Sequence, residues 1–166
     1  MKKLFIVLSS FIIFFNIGYA STYSNDPEKF VSELVGDAMN KLSDKNLSEE
    51  EKSTFIKNIA LENVDIKALS LYTLGELRKS TNKNNLENYQ QAFEKYFLKS
   101  LTSRLTDYSS NKFEIINAEK KSSNYTIVKS KITQNVDQPE IKIDWRIYTK
   151  NPDKPLIRDL IVEGLS

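Results

Sequence analysis

The 166-residue sequence contains no cysteine and no histidine, and only four glycines and four prolines. Without cysteine there is no disulfide to staple an exported chain and no lipobox residue to carry a lipid anchor. Without histidine, Ser-His-Asp and Cys-His nucleophiles, imidazole bases and the usual zinc ligand sets all drop out. Carboxylates alone could still serve a glycosidase or hold a hard metal ion, so catalysis is disfavoured rather than excluded. A membrane-spanning apolar run, which needs about 20 residues, is missing as well. The longest candidate, residues 4–15, follows Lys2 and Lys3 and leads to Gly18 and Ala20. Those small residues fit the minus-three and minus-one sites of a signal peptidase, so residues 1–20 are expected to be a signal peptide cleaved after Ala20. An uncleaved anchor over residues 4–19 is the competing reading, and Ser9, Ser10, Asn16 and Gly18 interrupt it.

Charge of one sign is also lacking. The chain has 24 basic and 22 acidic side chains, and loss of Lys2 and Lys3 with the leader leaves 22 of each. A balanced product has no net field to steer it onto nucleic acid or an anionic membrane. The remaining length of about 146 residues suits a single domain, 21–166, with a proper core.

What the chain does have is apolar periodicity. Over residues 86–108, with no glycine or proline, Leu86, Tyr89, Phe93, Tyr96, Phe97, Leu101, Leu105 and Tyr108 recur at helical spacing. Glu87, Gln91, Glu94, Lys95, Lys99, Ser103 and Asp107 occupy the other side. This long amphipathic helix needs a large apolar partner, either in the chain or in a ligand.

Three helices precede it. Asp26-Pro27 is an N-cap and first-turn pair opening a helix to about Leu42, with Phe30, Val31, Leu34, Val35, Ala38, Met39 and Leu42 on one stripe. Ser48 followed by Glu49, Glu50 and Glu51 reads as a capping box. A metal cluster at the three glutamates is the sharper alternative, but consecutive helical residues diverge. Phe55, Ile56, Ile59 and Leu61 continue that helix. Asp65 is an N-cap for a third, carrying Leu69, Leu71, Tyr72, Leu74 and Leu77 as far as Arg78. Gly75, in its middle, reads as a point of close backbone approach or as a tolerated glycine. Ser80, Thr81 and Asn82 offer N-caps for the long helix.

After Asp107 the helical period gives way to β-branched or aromatic runs, of which the third alternates cleanly with Lys142, Asp144, Arg146 and Tyr148. Phe113 and Ile115, then Tyr125, Ile127 and Val128, then Ile141, Ile143, Trp145 and Ile147, and finally residues 157–162 read as four strands. Polar breaks at 120–124, 133–139 and 149–155 make them an antiparallel meander. Helices first and strands second predict an α+β fold, with N-terminal helices and the long helix packed on a four-stranded antiparallel sheet. Residues 141, 143, 145 and 147 share one face, which could take the long helix's stripe. An ordinary core would show the same stripe.

These features, taken in order, resemble the toluene-tolerance or MlaC family of periplasmic phospholipid-binding proteins. The resemblance rests on Val64-Asp65-Ile66 leading to Leu74-Gly75, on Phe93 and Phe97 in the long helix, and on the tail from Asp159 to Glu163-Gly164-Leu165-Ser166. It implies a periplasmic, monomeric phospholipid shuttle that carries lipid between the outer membrane and an inner-membrane ABC transporter with an MCE-domain subunit, taking part with an outer-membrane lipoprotein in maintaining outer-membrane lipid asymmetry. It implies no cofactor, no metal, no nucleic-acid partner and no reaction. On that resemblance Leu69, Leu74, Phe93, Phe97, Leu101 and Leu105, facing Ile127, Ile143, Trp145 and Val162, are expected to wall the lipid pocket; plain core packing is their other reading.

The sequence departs from the family in having Leu156 and Arg158 where an aromatic and a tyrosine are usual, and Asn82 and Asn84 at the start of the long helix in place of a glutamine-bearing start. It also stops at Ser166, where family members continue with a helical segment, so the domain is expected to lack that segment. Two other kinds of role stay open: a carrier of another apolar ligand such as a hopanoid, and a lipid-free interaction subunit of an envelope complex. An enzyme working through Asp65 or Asp159 would need a carboxylate in an apolar pocket, and capping explains Asp65 better.

Overall fold

The computed structural model describes residues 23–105, 112–133 and 139–165, so the leader expected at 1–20, Asp107, Tyr108 and Ser166 lie outside it. Four helices, α1 (Pro27–Ser43), α2 (Glu49–Asn63), α3 (Ile66–Thr73) and α4 (Lys83–Leu105), are followed by strands β1 (Lys112–Ser122), β2 (Tyr125–Thr133), β3 (Ile141–Tyr148) and β4 (Leu156–Val162). The strands form one antiparallel sheet in the order β1-β2-β3-β4. This is the expected α+β fold with its meander.

Local chemistry starts each helix where the sequence signals stand. The Asp26 carboxylate accepts from the backbone N–H groups of Glu28 and Lys29, at 3.1 and 3.0 Å. Ser48 and Glu51 close a reciprocal capping box, which gives Glu51 a capping role; its carboxyl is held below the ordinary carboxylate value by the Ser48 backbone N–H and then by its hydroxyl. Asp65 accepts from Ala68 N–H at 3.1 Å and Asn82 from Asn85 N–H at 2.9 Å. Each such cap satisfies a donor that has no partner inside its helix.

Gly75 departs from both readings of it. The α-helix ends at Thr73, and residues Gly75–Lys79 form a short 3-10 turn. Gly75 has φ +54°, and a Cβ built there would meet nothing within 4 Å. The glycine serves a left-handed backbone angle, not a close approach.

The inner face of the sheet is set by register. Val128 pairs with Trp145, Ser130 with Ile143 and Thr126 with Ile147, so these side chains share a face. The helix that covers them is α1: Phe30, Val31, Leu34 and Val35 form one buried cluster with Val128, Trp145, Ile147 and Ile157. Burial of each such side chain is worth about 1.5–3 kcal/mol. The long helix packs on α2 and α3 instead, its Leu98 buried with Ala60 and Ile66. Periodicity shows that α1 and α4 each have an apolar face; it carries no information about which of the two lies on the sheet.

The outer face of the sheet is a lattice of charges. Glu119 pairs with Lys121 and Lys129, Glu114 with Lys112 and Lys131, and Lys131 with Glu140. β1 is longer than the apolar signal at Phe113 and Ile115 suggests, because cross-strand charge pairs and backbone bonding extend it to Ser122. As an exposed edge strand its lysines and glutamates discourage pairing with other chains.

Candidate functional site

An apolar seam divides the core in two. The α1–sheet cluster and the α2–α3–α4 cluster have a single residue in common among the described residues, the half-buried Val64. A domain of this size normally has one contiguous core. Along the seam α4 is uncovered: among its described side chains only Leu98 is buried, while Leu86, Tyr89, Phe93, Phe97, Leu101 and Leu105 are half-buried. Three of these rings run in a row, with Tyr89 and Phe93 centroids 6.1 Å apart and Phe93 stacked on Phe97 at 6.1 Å and 10°. The Tyr89 hydroxyl is tied to Thr73 Oγ1 at 2.8 Å, which fixes the start of the row against α3.

The sheet has an uncovered apolar end as well. Val162 pairs with Ile143 and Leu160 with Trp145, which places both on the inner face. They are nevertheless 40% and 38% exposed. The helix α3 packs against both β4 and α4, so it stands between the two uncovered surfaces.

The residues expected to wall a pocket fall into separate groups. Phe93, Phe97 and Leu101 come together beside Ala60, Ile66 and Leu98. Ile143 and Trp145 belong to the other cluster, with Trp145 8% exposed, and Val162 sits at the open end of the same face. Leu69, Leu74 and Leu105 are half-buried on α3, just after it and at the end of α4. Ile127 is not with them. It pairs with Arg146 and Glu119, which puts it on the charged outer face, because a strand sends successive side chains to opposite sides. The stripe of α4 also needs correction: Tyr96 is 72% exposed, whereas Leu98, absent from the expected stripe, is its buried anchor.

Two polar features brace the seam. Ser130, fully buried, accepts a hydrogen bond from Trp145 Nε1 at 2.8 Å and donates to the Ile143 carbonyl at 3.1 Å. At the other edge Arg158 reaches Asp65 Oδ2 through Nε and a terminal nitrogen, at 2.8 and 2.7 Å. It also donates to the Tyr125 hydroxyl at 2.8 Å, and its guanidinium lies 3.3 Å from the centroid of the Tyr148 ring. Burial alone would lower its pKa, but the bonds to Tyr125 and Asp65 more than offset this and raise it. The parallel bridge between Val64 and Ile157 and the bond from Asp65 N–H to the Ile157 carbonyl complete the join. Arg158, a departure from the family pattern, is therefore what clamps α3 to β4. Asp65 is occupied as both cap and counter-ion, and Asp159 faces Arg146 at 3.5 Å.

The tail turns back on itself. Glu163 and Gly164 have φ of 51° and 81°, and Val162 and Leu165 exchange backbone hydrogen bonds at 2.8 and 2.9 Å. Two left-handed central residues are the type I′ form of a two-residue hairpin turn, and glycine adopts the second of them without steric cost. The Glu163 carboxylate also receives the Lys142 N–H.

The profile of the MlaC protein family matches residues 31–166. The chain belongs to the MlaC family. A solved structure similar to this MlaC-family chain is the phospholipid-binding protein from Ralstonia solanacearum in complex with a phospholipid. The likeness has a TM-score of 0.64 at 15% identity and covers 81% of this chain and 76% of the other. No curated protein matches in sequence. Among the described residues no helix is long and apolar enough to cross a membrane.

Proposed function

We propose that this MlaC-family protein binds a phospholipid, its acyl chains lying along the Tyr89-Phe93-Phe97 row and Leu101 and reaching toward Ile143, Leu160 and Val162. The observation that carries this reading is the divided core: an apolar helix face that the protein's own side chains leave half-open. Each methylene taken from water there contributes about 0.8 kcal/mol, so one acyl chain is worth on the order of 10 kcal/mol before ordering costs. Family membership and the lipid-bound Ralstonia solanacearum protein of the same fold support it. The protein acts as a carrier and not as an enzyme. Its place is the periplasm, reached through the leader at 1–20, where it moves lipid between the outer membrane and an inner-membrane ABC transporter with its MCE-domain subunit. An outer-membrane lipoprotein is its partner on the other side, and outer-membrane lipid asymmetry is the outcome.

Substitution at the seam tests the binding step. Leu101→Trp is expected to abolish co-purified phospholipid while the melting temperature stays within a few degrees of the wild type, because the indole occupies space meant for a guest. Undiminished lipid, or a variant that fails to fold, would show that Leu101 is ordinary core.

A further inference from the structure

The side of α4 that carries Leu98, Leu101 and Leu105 changes character toward the N-terminus. One to three turns earlier it presents Glu87, Gln90, Gln91 and Glu94, with Gln90 and Glu94 half-buried and Glu87 and Gln91 exposed. There the helix and the first turn of α3 flank a half-open cleft of about 360 Å³ lined by those four side chains with Ile66 and Lys67. The Lys67 ammonium and the Glu94 carboxylate both line it, yet neither makes an ion pair or hydrogen bond with any described residue, and the same holds for the Gln90 and Gln91 amides. Glu87 has only a loose, exposed contact with Lys83 at 3.8 Å. Ile66 joins the cleft to the apolar seam, since it is also buried beside Leu98 in the cluster that holds Phe93 and Phe97.

We infer that this cleft is a headgroup subsite selective for a zwitterionic phospholipid, with Lys67 on the phosphate and Glu94 and Glu87 on the amine. The inference rests on the phospholipid-binding reading and adds the class of lipid. Opposite charges that line one cleft without pairing leave room for a ligand carrying the complementary pair, and the two amides can serve either of its ends. An anionic headgroup such as phosphoglycerol would meet Lys67 equally well but would leave the two carboxylates facing its hydroxyls, without a cation.

Lipid exchange decides it. The full mature chain is equilibrated with vesicles of equal parts dioleoyl phosphatidylethanolamine and dioleoyl phosphatidylglycerol, re-isolated, and its lipid identified by mass spectrometry. Identical tails leave only the headgroup to be selected. The wild type is expected to enrich the ethanolamine lipid about three- to fivefold, the scale of one partly exposed ion pair. Glu94→Lys should reverse the preference and Glu94→Gln should bring the ratio near unity. A wild type that loads lipid in the vesicle ratio overturns the subsite while leaving the carrier reading standing. A chain that loads none overturns both. Glycerophosphoethanolamine carries the same groups without tails; if it raises the melting temperature of the lipid-free chain while exchange shows no selection, the cleft belongs to a soluble ligand and the lipid assignment is overturned.

Discussion

Arg158 shows how much a single side chain can decide without leaving a trace in the pattern of a sequence. It is the extra residue at an irregularity of β4, between Ile157, which pairs with Ile147, and Asp159, which pairs with Arg146, and nothing in the sequence pattern says that residue 158 will reach across to residue 65 and between two tyrosines. The planar guanidinium matters because it spends two donors on Asp65, one on Tyr125 and its face on Tyr148. An ammonium cannot reproduce that fork and stack. Arg158→Lys is therefore expected to lower unfolding free energy by about 1–3 kcal/mol, and a double-mutant cycle with Asp65→Asn should show coupling of about 1 kcal/mol or more in urea titrations. Additive single losses would contradict the clamp. Ser130 carries a second residue-scale effect: Ser130→Ala strands the Trp145 indole N–H in a buried site, at an expected cost of about 1–3 kcal/mol. The chain's single tryptophan reports it directly through fluorescence.

At the scale of elements most of the architecture was legible, because caps and periods are local. Asp26, Ser48 with Glu51, Asp65 and the choice that included Asn82 each start a helix where the backbone needs an acceptor, and four β-branched or aromatic runs are four strands. Partners were not legible, since a stripe shows which side is apolar and not what it meets; hence α1, not α4, covers the sheet. The α3 region was read as one helix because the apolar spacing runs on past Gly75 while the backbone does not. Its positive φ makes Gly75→Ala cost about 1–2 kcal/mol in chemical denaturation, with Gly75→Asn milder, and equal stability of all three would show that the turn tolerates other angles.

The β1–β2 hairpin adds an acid response at the same scale. The Glu119 carboxyl is brought to about 2 from its ordinary 4.5 by hydrogen bonds and charge from Lys121 and Lys129. A folded-state pKa below the unfolded one means a contribution fully present above about pH 4.5 and lost as pH falls toward 2. Glu119→Gln should flatten the fall of the urea midpoint across that window, and added salt should flatten it in the wild type as well.

For the molecule as a whole, the division of the core is the central fact and the one least accessible to sequence reasoning. Half-burial of Phe93, Phe97 and Leu101 and exposure of Leu160 and Val162 depend on how far apart two packed layers sit, and no spacing of letters encodes that distance. The stripe marks Phe93, Phe97 and Leu101 as apolar positions of one helix; it does not mark Leu98 or Leu160, and apolar character alone cannot tell the face of Ile127 from that of its equally apolar neighbour Val128. If the seam exists to hold lipid, the most direct measurement is native mass spectrometry of the mature chain purified from a Gram-negative periplasm, followed by organic extraction of whatever it holds. The account predicts a monomer carrying about one diacyl phospholipid. A folded monomer that emerges empty, and stays empty after incubation with phospholipid vesicles, would contradict it.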